Sequence, residues 1–453
     1  MRPIAFRSKT KVAVVACGMS LAMTALAACS GNSGSAPADK AGTQANPNDP
    51  KSAPAAKPVE LTFGWWGTTV HNERYQKIID AFQQKNPNIK INTQYADYNG
   101  FWEKLAVQAA GNSMPQLIQI ELPKINEWVS RNTLQPLDGF VKDNVINLKD
   151  VSQLLLDGGR VNNQLYAVSV GTNSPAMIYD PAMFEKAGVK PLEPGYTWED
   201  LAETSRKLKE KLGKDFYITP SDGMLGFYHY LRENGLWFYN KDNNGLGFDD
   251  QTLIDFLNYW APLRKEGVTP PANVTAAVKK NEDKLIVKGK SPMDFMYDAQ
   301  TQAIQELGGR PLQLTSFPTK PGGQKALYFK PSVMLSITKN ANPDQAKAAA
   351  MFIEYFTSSE EANMILLGIR GVPIHKDIQD KLYPKLDDSV KKIFDYAKIV
   401  EKYAGPLYTA EPAGHSEVSA LWDRLHEQTI FEKITPEQFA KQLREGVQKI
   451  FAK

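Results

Sequence analysis

From Val59 onward the spacing of apolar positions changes period again and again. The stretch "VELTFGWW" reads as a strand, and in "HNERYQKIIDAFQQKNP" the residues Tyr75, Ile78, Ile79 and Phe82 recur at helical spacing. "IKINTQY" is extended, "FWEKLAVQAAG" predicts a helix closed by Gly111, and "QLIQIEL" is a third strand. Such alternation predicts βαβ units and a largely parallel sheet. Ligands of these sheets sit beyond the carboxyl ends of the strands. Trp65 and Trp66 lie at one such end, Tyr95 to Tyr98 at a second, and Glu121 at a third. Neighbouring side chains on a strand point to opposite faces, so one core cannot hold both tryptophans.

Further along, "QLYAVSVGTNSPAMIYD" passes through Gly171, Thr172 and Asn173, and a helical series follows. Thr197 and Asp200 form a capping pair for "TWEDLAETSRKLKEKLG". A second extended passage, "ALYFKPSVMLSITKN", precedes Asn342 and Pro343, a helix start. Ser358 and Glu361 predict a capping box, and "TPEQFAKQLREGVQKIF" closes the chain with Phe439, Leu443 and Val447 on one face. The two extended passages, near Gly171–Asn173 and Lys330–Ser332, read as strands crossing between domains. A chain of 453 residues exceeds what one core usually supports, which agrees with that reading.

The first 28 residues change the picture of charge. They hold Arg2, Arg7, Lys9 and Lys11 and no acid, followed by an apolar run that is short for a membrane span. Without those four, 49 basic residues face 50 acidic ones, so no basic field remains for nucleic acid. The run ends at "LAAC", which resembles a bacterial lipoprotein signal with Cys29 as the lipidated residue. Cys17 leaves with the signal, and the mature chain then has no thiol pair for an internal disulfide. Residues 30–58 are Ser, Gly, Ala, Pro and Asn with a few charges, a tether that buries too little surface to fold. Extended, it reaches on the order of 100 Å at about 3.5 Å per residue.

Catalytic chemistry finds little support. The five histidines are scattered, with no helical i,i+4 metal pair, and GxSxG, P-loop and GxGxxG motifs are absent. No cofactor is called for. Two carboxylates across a cleft would suffice for a glycosidase, so a secreted polysaccharide hydrolase is the alternative in a different class. Asp242-Asn243-Asn244-Gly245 lacks the spaced ligands of a calcium loop and reads as a turn. Aromatic residues are more telling: Trp65, Trp66, Tyr98, Phe101 and Trp102 early, then Phe227, Tyr228, Tyr230, Trp237, Tyr297 and Trp422. Aromatic rings pack on sugar C–H faces while carboxylates and amides hold hydroxyls, which suits a neutral oligosaccharide. That rim disfavours a peptide or amino-acid receptor. Trp102, Phe82 and Trp260 fall on helical faces and read as core. Trp66, between Gly64 and Gly67, reads as a stacking platform, and Trp65 as its partner or a lid on the core. Arg74 either contacts ligand or starts a helix.

These stretches together resemble the extracellular solute-binding proteins of ABC transporters, in the sugar-binding family that includes maltose-binding protein. The carriers are "TFGWWG", "AFQQKNPNIKI", "FWEKLAVQAAGNSMPQLIQIE", "NNQLYAVSVGTNSPAMIYDPAMFEKAGVKP", "KPSVMLSITKNANPDQAKAAAMFIEYFTSSEEAN", "IRGVPI" and "PAGHSEVSALWDRL". The resemblance implies an α/β, two-lobed periplasmic-binding-protein-like fold with hinge strands and a ligand cleft between the lobes. One lobe would comprise 59–171 with about 332–356, the other 172–331 with about 357–453. It implies a non-enzymatic monomer that captures a sugar by closure and delivers it to an ABC permease, held by its lipid on the outer face of the cell membrane. The family's ligand contacts would fall at Trp65, Trp66, Tyr98, Glu121, Asn173, Asp222, Tyr297, Asp298, Gln300 and Trp422. Arg370-Gly371-Val372-Pro373 reads as a structural turn.

Overall fold

The computed structural model describes residues 57–407, 411, 412 and 414–452. The signal segment, Cys29 and most of the tether lie outside them. The described chain builds its first sheet as its pattern predicts: Val59–Trp66 pairs in parallel with Ile89–Ala96 and with Leu117–Ile120. The helices Thr69–Lys85 and Tyr98–Ala110 make the connections. Two strands from later in the chain, Met334–Ile337 and Val168–Ser169, then add in antiparallel sense. The largely parallel sheet expected is therefore mixed, because Met334–Ile337 returns into it from the far lobe and runs against both neighbours.

Alternation along Val59–Trp66 sorts the side chains. Leu61, Phe63 and Trp65 enter one core with Tyr75, Ile78, Ile79, Phe82 and Phe352. Trp66 turns to the opposite face and packs beside Phe101 and Trp102. Each large side chain so buried contributes roughly 1.5–3 kcal/mol.

The second lobe carries a three-stranded antiparallel sheet, Gln313–Thr315, Pro175–Tyr179 and Met293–Tyr297. Its core gathers Phe227, Phe256, Trp260, Trp422 and Phe439 from surrounding helices. Those helices start where capping chemistry says: Thr197 with Asp200, and Thr435 with Gln438. In the first lobe Asn342 with Gln345 does the same ahead of Pro343. One cap is shifted. Ser359, not Ser358, caps helix Glu360–Leu366, because Ser358 still belongs to the preceding helix and its hydroxyl donates to the Glu354 carbonyl at 2.8 Å. The Asp242–Gly245 stretch is a turn, with Asn243 at φ 55°.

A third, small sheet crosses between the lobes. Its central strand Gly171–Asn173 pairs with Lys330–Pro331 on one side and Val372–Pro373 on the other. Two crossings were expected; Arg370–Pro373, read as a turn, supplies a third. The backbones approach too closely for side chains. A Cβ on Gly171 would lie 2.2 Å from the Arg370 carbonyl oxygen, and one on Gly371 would lie 2.5 Å from that of Thr172. Gly371 also holds φ +84°, which favours glycine.

Candidate functional site

Where the crossing strands meet the ends of both sheets, a cavity opens. Its first-lobe side is Leu122, and an aromatic cluster at the carboxyl end of the first strand stands near it. Trp66 meets Tyr98 edge-on at 5.8 Å and tilts against Trp102 at 5.3 Å. Glu121 is the N-cap residue of helix Leu122–Ser130, whose Leu122 lines the cavity. The Tyr98 hydroxyl donates to Glu121 Oε1. Burial pushes the Glu121 carboxyl up, against the pull of that hydrogen bond and of Lys124 and Lys330.

The second-lobe wall rests on helix Met224–Glu233, which sets Tyr228 and Arg232 one turn apart toward the cavity. Arg232 is buried, and its Nε donates to the Ala326 carbonyl at 2.6 Å. Its Nη2 donates to the Leu327 and Gly405 carbonyls. The guanidinium lies over the rings of Trp237 and Tyr328, at 4.8 and 4.7 Å. Tyr297, ending its strand, sets its hydroxyl 2.9 Å from that of Tyr328. Lys330, on a crossing strand, holds Nζ 5.1 Å from the Tyr297 ring centre. Burial raises the pKa of Tyr228 and Tyr328 well above the usual value and that of Tyr297 to about 12, so all three stay protonated. Leu407 and Glu411 complete the lining, Glu411 facing His415 Nε2 at 3.5 Å.

Of the residues expected here, Tyr297 lines the cavity; Trp66 packs in the same first-lobe cluster as Leu122, with Tyr98 and Glu121 beside it, outside the lining itself. Asn173 pairs with Lys330 on the crossing sheet, its Oδ1 buried without a partner among the described residues. Others serve the scaffold. Trp65 is fully buried, its Nε1 donating to Asn72 Oδ1 at 2.8 Å. Arg74 donates to the Leu366 carbonyl and fastens the end of a helix. Asp298 is buried behind Tyr297, accepting the Ser174 and Ala299 amides at 3.0 and 2.7 Å. Burial raises its pKa to about 7. Gln300 accepts the Tyr297 amide at 3.2 Å.

Further expectations need correction. Asp222 is ion-paired with Arg264, with His426 Nε2 3.3 Å away, in a different pocket, beside Leu257 and Trp260. Burial alone would raise its pKa, but His426 and then Arg264 outweigh it and hold it at about 2. Trp422 is fully buried, stacked on Phe227 at 5.1 Å, because its helix turns that face into the core. Conversely Trp102, read as core, is only half-buried and joins the aromatic wall. The sequence reading missed Arg232, Tyr328, Lys330 and Glu411 and named Tyr228 and Trp237 only as aromatics. The i,i+4 spacing of Tyr228 and Arg232 was the one available signal. The rim expected for a neutral sugar thus carries two cations. Asp150, His375 and Asp377 form a group that could ligate metal, but none lines the cavity, and His375 Nδ1 already pairs with Asp150 at 2.9 Å.

Two α/β lobes joined by crossing strands, with a cavity lined from both, define a solute-binding protein. The chain belongs to the bacterial extracellular solute-binding proteins, whose family model matches residues 77–394. An extracellular solute-binding protein of family 1 from Alicyclobacillus acidocaldarius is 29% identical, with TM-score 0.78 over 88% of this chain and 100% of that one. An ABC substrate-binding protein from Listeria monocytogenes, in complex with cycloalternan, shares the fold at 18% identity, with TM-score 0.68 over 87% of this chain and 99% of that one. A protein of Brucella abortus named as a binding protein is 21% identical over 281 residues, 60% of this chain. That match spans 66% of the Brucella protein, just under two thirds of its length. No helix of the described residues is long and apolar enough to cross a membrane.

Proposed function

We propose that this chain is the capture component of an ABC importer and takes a sugar or oligosaccharide between its lobes. One observation carries the reading: a cavity at the crossing strands receives side chains from both lobes, Leu122 from one and Tyr228, Arg232 and Tyr297 from the other. The ligand-binding complex of the Listeria neighbour supports a carbohydrate. Trp66 and Tyr98 offer ring faces and Glu121 a carboxylate, a pairing that fits sugar C–H faces and hydroxyls.

Capture works by a shift of population. A ligand touching both walls binds the closed state better than the open one, and that difference alone closes the lobes. The first lobe runs 59–171 and resumes at about 332; its end is better placed at the third crossing, Val372–Pro373, than at 356. Ala362, Leu366 and Ile374 pack into the first-lobe core, which supports the later boundary. The closed form then docks on a membrane permease as a monomer. Signal cleavage before Cys29, lipidation of that residue and a tether to residue 58 keep the lobes on the outer face of the membrane.

Small-angle scattering with a carbohydrate panel tests this reading. The radius of gyration falls at saturating concentration of the carbohydrate that binds. A carbohydrate that binds with no change in the profile refutes closure, and silence across a broad panel refutes the ligand class.

A further inference from the structure

We propose that the cleft reads an anionic oxygen group on its ligand, a uronate carboxylate or a phosphate, through the ammonium of Lys330. This inference rests on the capture reading above and goes beyond it in naming the ligand's charge.

Lys330 Nζ packs on the Tyr297 ring, and among the described residues it has no hydrogen-bond acceptor and no ion-pair partner. The Tyr228 hydroxyl is buried and likewise lacks a partner. Tyr297 and Tyr328 share a single hydrogen bond between two hydroxyls, so one of the two protons is left without an acceptor. Three donors therefore converge on one cavity, and none of them meets an acceptor among the described residues. Buried polar groups cost free energy when unpaired, so the complement is a group with several acceptor oxygens.

The opposing carboxylates are already engaged. Glu121 takes the Tyr98 hydroxyl, and Glu411 faces His415. Arg232 gives its donors to backbone carbonyls and stacks on aromatic rings, which leaves Lys330 as the cation of the lining without a hydrogen-bond acceptor among the described residues. An ammonium on a flexible stem serves carboxylate and phosphate alike. Because Lys330 pairs with Asn173 across the crossing sheet, the anion would sit at the junction both lobes share.

Calorimetric titration of the purified protein with trigalacturonic acid, glycerol 3-phosphate and maltotriose decides the matter. We expect one acidic probe to bind, more weakly as salt rises, and maltotriose to bind at least ten-fold more weakly. Lys330→Gln should weaken that acidic probe about 30-fold or more, and Lys330→Arg should retain most of the affinity. Trigalacturonic acid binding identifies a uronate, and glycerol 3-phosphate binding a phosphate. Maltotriose matching the acidic probes, or Lys330→Gln leaving their affinity unchanged, overturns the charge assignment while sugar capture stands. Silence from all three also overturns it, and capture itself then falls only with the broader panel.

Discussion

Trp65 and Trp66 are neighbours in sequence, and truncating each should fail differently. Trp65 is fully buried against Phe63, Tyr75 and Tyr95, with ring centres 4.8, 5.4 and 5.4 Å away. Trp65→Ala opens a cavity there and costs about 3–5 kcal/mol, and it also leaves Asn72 without its donor. The compact unit spans about 400 residues, so its unfolding entropy near the melting point is about 0.8 kcal/mol/K. The loss becomes a fall of about 4–6 °C. Trp66 is half-buried on the other face, and its removal should lower the midpoint by only about 1–2 °C. Its effect belongs to binding: loss of one stacked ring costs about 1–3 kcal/mol, or roughly 5- to 150-fold in affinity. Calorimetric melting and ligand titration on both variants separate the two. A Trp65→Ala variant that melts within about 1 °C of the parent, or a Trp66→Ala variant that loses stability with affinity untouched, refutes this division of roles.

Three further outcomes follow from particular groups. Asp298 has a folded pKa of about 7 against 3.8 for the free group, so the folded chain holds its proton more tightly. Its contribution is full below pH 3.8 and declines by about 1.4 kcal/mol per pH unit up to pH 7. Asp298→Asn should flatten the melting-temperature curve across that window, and a curve of unaltered slope contradicts the assignment. Gly171→Ala puts a Cβ 2.2 Å from a backbone oxygen and should cost about 1–3 kcal/mol. Gly139→Ala, with nothing within 4 Å, should cost little, and equal melting of the two variants refutes the close-approach argument. Cys29→Ala should move the protein from carbonate-washed membranes into the medium with ligand binding intact, and retention in the membrane identifies a true anchor instead of a lipid.

The first lobe was legible because its physics is local. Strand-and-helix alternation over 59–120 named the elements, and period-two alternation assigned Trp65 and Trp66 to different faces before either face was known. Capping chemistry marked helix starts to within one residue, the slip at Ser358 arising because two serines in a row compete for one cap. Antiparallel insertion of Met334–Ile337 was not legible, since pairing across some two hundred residues leaves no period in the chain. The same holds for Val372–Pro373: a two-residue crossing flanked by glycine looks like a turn until its partner strand is present. Trp422 was misplaced because resemblance fixes a residue's place in the chain but not the rotation of the helix that carries it, and Asp222 because its loop, just ahead of a helix, turns the carboxylate onto Arg264.

The charged residues of the cleft show where such reading stops, and they also constrain how closure works. Moving a protein from mostly open to mostly closed takes about 5.5 kcal/mol of preference for the closed state. One stacked ring supplies about 1–3 of this, so no single wall suffices. Trp66 and Glu121 belong to one lobe, Tyr228 and Tyr297 to the other, and Lys330 to a strand that both share. A ligand held at Lys330 alone would bind open and closed forms alike and shift neither. A ligand spanning the walls adds contacts that exist only after closure. Loss of Trp66 should therefore weaken capture without abolishing it, and the residual closure should need more ligand rather than a different one.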